Sequence, residues 1–165
     1  MERLLAAAPV TLSVVDPAHR HARHCLSAYY TELDERFDAG FEPSVARPTT
    51  VDDMRPPAGL FLLASLREHP VGCGVLKLHG DEPAEIKRLW VDGSARGLGV
   101  GRRLLAELER LAAERGAPAV QLDTNRSLTE AIALYRSSGY VEIEAFNDET
   151  YAHHWFEKPL PEAQR

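Results

Sequence analysis

Two hydrophobic periods alternate along the chain and divide it into elements. Val10 to Val15 is β-branched and reads as a first strand. Asp16-Pro17 then offers an N-cap followed by proline at a first helical position, so a helix is expected to begin there. Ala22, Leu26, Tyr29 or Tyr30, Leu33 and Phe37 recur at three- and four-residue spacing, and Gly40 is a fitting stop. Residues 41–58 carry Pro43, Pro48, Pro56 and Pro57 among polar residues, which predicts an irregular connection with one helical turn near Thr50 to Met54. Leu60 to Leu66 and Val71 to Leu78 are apolar strands joined by Arg67-Glu-His-Pro70, and Gly80-Asp-Glu-Pro83 turns the chain into a third strand over 84–91, completing a meander. Leu104, Leu105, Leu108, Leu111 and Ala112 form one helical stripe that Arg115-Gly116 ends. Ala119 to Asp123 is a short strand, and strand, crossover helix and strand of this length imply a parallel, right-handed pair. Ser127-Leu-Thr-Glu130 fits a capping box for a helix from about Leu128 to Ser138, with Ala131, Leu134 and Tyr135 inward and Gly139 as its stop. Tyr140 to Ala145 and His153 to Lys158 read as two last strands.

A length of 165 residues is that of a single domain, with enough chain to bury a core without metal or disulfides. Hydrophobic content of 44% and charged content of 27% are those of an ordinary globular protein. No apolar run approaches the roughly 20 residues that span a bilayer. The start, Met1 to Pro9, lacks the length and basic flank of an export signal, so the expectation is a cytoplasmic protein without membrane attachment. In that setting Cys25 and Cys73 are expected to be reduced core residues. His19, His21 and His24 share the first helix without a carboxylate or thiol placed as partner, which reads as a solvated surface and no metal site. A net charge of −6 argues against nucleic-acid binding. One stretch is nonetheless basic. Lys87, Arg88, Arg96, Arg102 and Arg103 surround a glycine-rich loop with only Asp92 against them, an arrangement suited to attracting a phosphorylated small molecule.

That loop lies at the junction 84–104, where a strand ending Leu89-Trp90-Val91 meets Gly97, Gly99 and Gly101 at every second position and then the leucine-rich helix. Glycines let backbone N–H groups approach a ligand, the first helical turn leaves its own N–H groups without partners, and the helix dipole adds partial positive charge. A phosphate or pyrophosphate is the natural ligand. A P-loop would need Gly-Lys-Ser/Thr, and Arg102-Arg103 follow here instead. A dinucleotide fingerprint would need a third glycine where Arg102 stands, although Asp123 falls roughly where a ribose-binding acid would.

Arg96-Gly97-Leu98-Gly99-Val100-Gly101 fits the pattern Arg/Gln-x-x-Gly-x-Gly/Ala, and Ala131-Ile-Ala-Leu-Tyr-Arg-Ser-Ser-Gly-Tyr140 contains Leu-Tyr-x-x-x-Gly-Phe/Tyr. With these two motifs in this order the chain resembles the GNAT superfamily of acetyl-coenzyme-A-dependent N-acetyltransferases over nearly its whole length. The resemblance implies an α/β (α+β) fold, a twisted, mixed but mostly antiparallel sheet of six to seven strands flanked by about four helices. It further implies acetyl-CoA as the donor, its pyrophosphate held by Arg96, Gly97, Leu98, Gly99, Val100, Gly101 and Arg102, and the rest of it by Leu89, Trp90 and Val91 on the strand and Leu134, Tyr135 and Arg136 on the later helix. Many relatives carry asparagine where Leu128 stands here; Asn125 or Thr124 are the candidates to supply the missing contact to the pantetheine arm.

The reaction so implied is attack of a neutral amine on the acetyl thioester through a tetrahedral intermediate that expels the coenzyme A thiolate. It needs a base, an oxyanion donor and a proton for the thiolate. Glu85 is the candidate base, at a position similar to that of a catalytic glutamate in some relatives, and period-two alternation puts it on the same face as Lys87, Leu89 and Val91. Tyr135 is the candidate acid, and a backbone N–H near Leu89 to Val91 the oxyanion donor. By the same resemblance Tyr30, Glu32, Arg36, Asn147, Tyr151, His154 and Trp155 lie toward the acceptor and, converging, would suit a small amine carrying a carboxylate or other polar groups. A protein N-terminus or lysine as acceptor, or a non-catalytic acyl-CoA sensor, are the alternatives; monomer and homodimer are both compatible with the sequence.

Overall fold

The computed structural model describes residues 9–162; most of the N-terminal stretch read above for an export signal lies outside them. β1 (Val10–Val15), β2 (Gly59–Leu66), β3 (His69–Lys77), β4 (Ala84–Val91), β5 (Ala119–Thr124), β6 (Val141–Ile143) and β7 (His154–Pro159) form one sheet of order β1-β2-β3-β4-β5-β7-β6. Every pair is antiparallel except β4 with β5. Among the described residues three α-helices accompany it, α1 (Arg20–Arg36), α2 (Val100–Glu114) and α3 (Thr129–Ser137). The fourth that the family resemblance implied is not found among the described residues, because the proline-rich segment 41–58 supports only a 3₁₀ turn at Asp52–Met54. No helix there is long and apolar enough to cross a membrane.

Two capping expectations fail for the same reason, competing hydrogen bonds, one local and one to an arginine distant in the chain in each case. Asp16 accepts from Ala18 N–H at 2.8 Å and pairs with Arg55, so α1 starts later, where His19 Nδ1 accepts from His21 N–H at 3.1 Å. Ser127 is held in the loop by Asn125 Oδ1 at its N–H and by Arg36 at its carbonyl, and Leu128 caps α3 without a side-chain bond.

The sheet buries both faces. Leu60, Leu62 and Ala64 of β2 point to the side covered by α2, where Val100, Leu104, Leu105 and Leu108 are at most 1% exposed. Phe61 and Leu63 point to the side of α1, with Ala22, Cys25, Cys73, Val75 and Trp90. Burying a leucine of this kind is worth about 2 kcal/mol, which is why apolar runs rather than alternation mark these strands. Cys25 and Cys73 are free and buried, and the Cys73 thiol donates to the Arg88 carbonyl at 3.3 Å.

Arg88 marks a bulge. The register runs Cys73↔Trp90 and then Val75↔Lys87, leaving one extra residue in β4, and Arg88 takes a left-handed φ of 58°. The face alternation reverses there. Ala84 and Ile86 join the α2 side before the bulge, whereas Leu89 and Val91 join it after. Glu85 and Lys87 therefore share a face with Trp90 and not, as strict alternation required, with Leu89 and Val91.

The parallel pairing of β4 with β5 ends after Ala84↔Val120 and Glu85↔Gln121. Beyond that point the strands part, and the gap between them, roofed by α1 and α3, is where the functional residues gather.

Candidate active site

On the α2 side of the gap lies a cleft of about 460 Å³. Its floor is the glycine loop. Gly97, Gly99, Val100, Gly101 and Arg102 have N–H groups with no hydrogen-bond partner among the described residues, while Arg103 N–H already bonds Gly99 O. Gly99 adopts φ 74°, and a Cβ on it would meet open space, so backbone conformation, not crowding, requires glycine there. At Gly101 a Cβ would come within 3.0 Å of Leu134 Cδ2. An array of donors at a helix start fits a diphosphate. Leu89, Trp90, Val91, Arg96, Arg102 and Leu134 line the same cleft, so strand, loop and α3 offer one continuous bed of the kind acetyl-CoA needs.

Several expected cofactor residues are placed differently. Leu98 packs against the core and gives its N–H to Ala95 O at 3.3 Å. Arg136 is outside the cleft, paired with Glu142 at 3.0 Å and lying over the Phe156 ring. Asn125 is 7% exposed and already used, donating to Tyr151 O at 2.8 Å and accepting from Ser127 N–H at 2.9 Å. Leu128 instead lines both hollows of the gap. Of the expected basic patch only Arg96 and Arg102 border the cleft; Arg103 is tied to Val10 O at 2.7 Å.

The second hollow, on the α1 side, shares Tyr29, Leu33, Leu89, Leu128 and Ala131 with the cleft and is smaller, about 70 Å³. Phe37, Phe41 and Tyr151 give it an aromatic wall, and Lys87, Arg88, Asp123, Asn125 and Glu149 give it polar groups. Asp123 sits at the end of β5, where it accepts from Asn147 Nδ2 at 2.9 Å; Asn147 Oδ1 in turn accepts from Trp155 Nε1 at 2.9 Å. Burial pushes the Asp123 carboxyl above its ordinary value and Glu149 and Glu85 add to this, against the Asn147 hydrogen bond and the Lys87 charge. Sequence reasoning had weighed Asp123 only as a ribose ligand. The available signal was a carboxylate at the carboxyl end of a strand beside a parallel junction, the usual place for ligands in such sheets.

Glu85 does not line this hollow. Its carboxylate, 13% exposed, lies 2.9 Å from His79 Nε2 and 3.5 Å from the 8% exposed Lys87 ammonium. Burial would raise its pKa, but Lys87 and His79 outweigh it and hold the group below its ordinary value. Tyr135 is 6% exposed, packs on Tyr140 and Phe156 and lines the hollow; its hydroxyl has no hydrogen-bond partner among the described residues, and burial raises its pKa. Of the expected acceptor residues, Asn147 and, through it, Trp155 converge on Asp123, and Tyr151 lines the same hollow. Tyr30 lies beneath the Arg88 guanidinium. Glu32 and Arg36 belong to the cleft instead, paired with Arg96 at 2.7 Å and Glu130 at 2.8 Å, because each precedes by one residue, and so sits about 100° around α1 from, the Leu33 and Phe37 that face the hollow. His154, on the opposite face of β7 from Trp155, pairs with Glu142 at 2.7 Å and lines neither hollow.

Comparison with known proteins identifies the class to which this fold and this site belong. Residues 25–140 match the acetyltransferase (GNAT) family, and the chain belongs to it. IAA acetyltransferase of Azospirillum brasilense is 37% identical over 87 residues, 52% of this chain and 57% of that protein, so the chain spans little more than half the length of this relative. An acetyltransferase of the GNAT family from Staphylococcus aureus superposes with a TM-score of 0.74 at 17% identity, over 92% of this chain and 100% of the other. One from Elizabethkingia anophelis, solved with acetyl-CoA bound, gives 0.63 at 18% identity over 92% and 98%. At such identities these two structures establish the shared fold.

Proposed function

We propose that the protein transfers an acetyl group from acetyl-CoA to the primary amine of a small molecule. The observation that carries this reading is the continuity of the two hollows: a bed of unpartnered N–H groups opens, between the parted strands, onto a cavity holding a carboxylate and a phenol. Gly97, Gly99, Val100, Gly101 and Arg102 hold the diphosphate, and β4 from Leu89 to Val91 guides the arm. The donor supplies an acetyl thioester when bound.

Asp123, rather than Glu85, takes the proton of the incoming ammonium. It lines the cavity, and a carboxylate in a partly dry site is a stronger base than one in water. Tyr135 gives its proton to the departing thiolate; a phenol kept neutral by burial is always loaded for that step. The Lys87 ammonium, held by Glu85, favours the ionised form of Asp123 and opposes the effect of burial. The aromatic wall and the small volume favour a compact acceptor over a protein tail.

The test is coenzyme A release from acetyl-CoA with a panel of small amines and of peptides with free N-termini or lysines. Turnover of small amines with the acetylated product identified by mass is expected. Turnover confined to peptides would replace the acceptor class, and tight acetyl-CoA binding with no turnover of any amine would make the protein a sensor.

A further inference from the structure

Among the charged groups of the acceptor cavity, one has neither an ion-pair nor a hydrogen-bond partner for its side chain among the described residues. Asp123 is bonded to Asn147, Glu149 accepts from the Arg47 and Tyr151 amides, and Lys87 faces Glu85. Arg88 has no carboxylate within ion-pair distance among the described residues, and its buried Nε has no hydrogen-bond partner. Its guanidinium rests on the Tyr30 ring, 5.5 Å from the centroid, and lines the cavity. A buried guanidinium nitrogen without a hydrogen-bond partner is costly, since burial removes water that nothing replaces. Its backbone is costly as well, a non-glycine residue at φ 58° in the bulge of β4. Two unfavourable features at one residue that lines the hollow are what a site completed by its ligand would show.

We infer that Arg88 binds a carboxylate of the acceptor, so that the substrate is an amino carboxylic acid with an apolar body: carboxylate on Arg88, ammonium toward Asp123, body against Phe37, Phe41 and Tyr151. The planar fork of the guanidinium matches both oxygens of a carboxylate, and the cation–π contact with the Tyr30 ring holds it in place. The opposed charges of Arg88 and Asp123 orient a zwitterion one way round. This rests on the acetyltransferase reading above.

The test uses matched pairs of amines that differ in the carboxylate alone: phenylalanine with phenethylamine and phenylalaninamide, leucine with isoamylamine, and 3-amino-3-phenylpropanoate with 1-phenylethylamine to vary the spacing. Coenzyme A release should favour the carboxylated member by at least about tenfold in kcat/KM in one or more pairs. Arg88→Asn, chosen because asparagine tolerates a positive φ, should reduce that ratio to near unity, and Arg88→Lys should restore part of it. A second readout needs no turnover: calorimetric titration of 3-phenylpropanoate into the protein with coenzyme A present should give binding that Arg88→Asn loses by about tenfold or more. Amines acetylated without preference for the carboxylate, or a preference that Arg88→Asn leaves intact, would overturn the proposal and leave the acetyltransferase reading standing. Arg88-dependent binding of 3-phenylpropanoate with no amine turned over would do the reverse.

Discussion

Asn147 donates to Asp123 at 2.9 Å across the gap between the loop before β7 and the end of β5. The bond fixes one carboxylate oxygen, and Trp155, donating to Asn147 Oδ1, fixes which way round the amide lies. The other carboxylate oxygen of Asp123 is thereby left to work in the cavity.

Exchange at this position separates function from stability. Because the folded-state pKa of Asp123 is raised, the folded protein holds that proton more tightly than the unfolded chain, and the resulting stabilisation, present in acid, is lost as pH rises through the raised value. Asp123→Asn should therefore be no less stable than wild type at pH 8 by thermal melting, while kcat falls by about 10²-fold or more. In wild type kcat should fall in acid as Asp123 takes up its proton.

Glu85→Gln should behave oppositely. The lowered pKa of Glu85 contributes stability above the ordinary carboxylate range that disappears in acid, and removing the charge strands the buried Lys87 ammonium. A loss of about 1–2 kcal/mol at pH 8 is expected, with kcat reduced by less than about tenfold. An inactive Glu85→Gln beside an active Asp123→Asn would reverse the two assignments.

These two carboxylates show what the sequence could and could not reveal. The strands of the meander, the glycine junction and the tyrosine of α3 were legible because each depends on local pattern. The bulge at Arg88 was not, since it arises from how β4 is paired to β3; with it went the face of Leu89 and Val91. The position of Asp123 over the cavity depends on where β4 and β5 stop pairing, and the loss of Asp16 and Ser127 as caps on partners distant in the chain, Arg55 and Arg36.

Tyr135→Phe should lower kcat by about 10²-fold and leave acetyl-CoA affinity unchanged. Since burial raises the phenol above its usual value, wild-type kcat should stay level on the alkaline side up to pH 9.5. A fall with a midpoint below pH 9 would assign the acid to another group.

Arg96 is held by Glu32 at 2.7 Å although it is 46% exposed on the rim of the cleft. Glu32→Gln should release it toward the diphosphate and tighten acetyl-CoA binding about threefold by calorimetry, whereas Arg96→Ala weakens it about tenfold. Gly101→Val, with its Cβ against Leu134, should weaken binding at least as much without altering the melting temperature of the free protein by more than about 4 °C.

A sheet laced by backbone rungs along only one end of its central seam resembles two leaves sharing a short spine. Strands β1 to β4 form one leaf and β5 to β7 the other, and whatever slides between them touches both. Cohesion across the seam then becomes a property shared with the ligand. Melting temperature should climb with donor concentration in proportion to the logarithm of its excess over Kd, and coenzyme A alone should suffice to raise it.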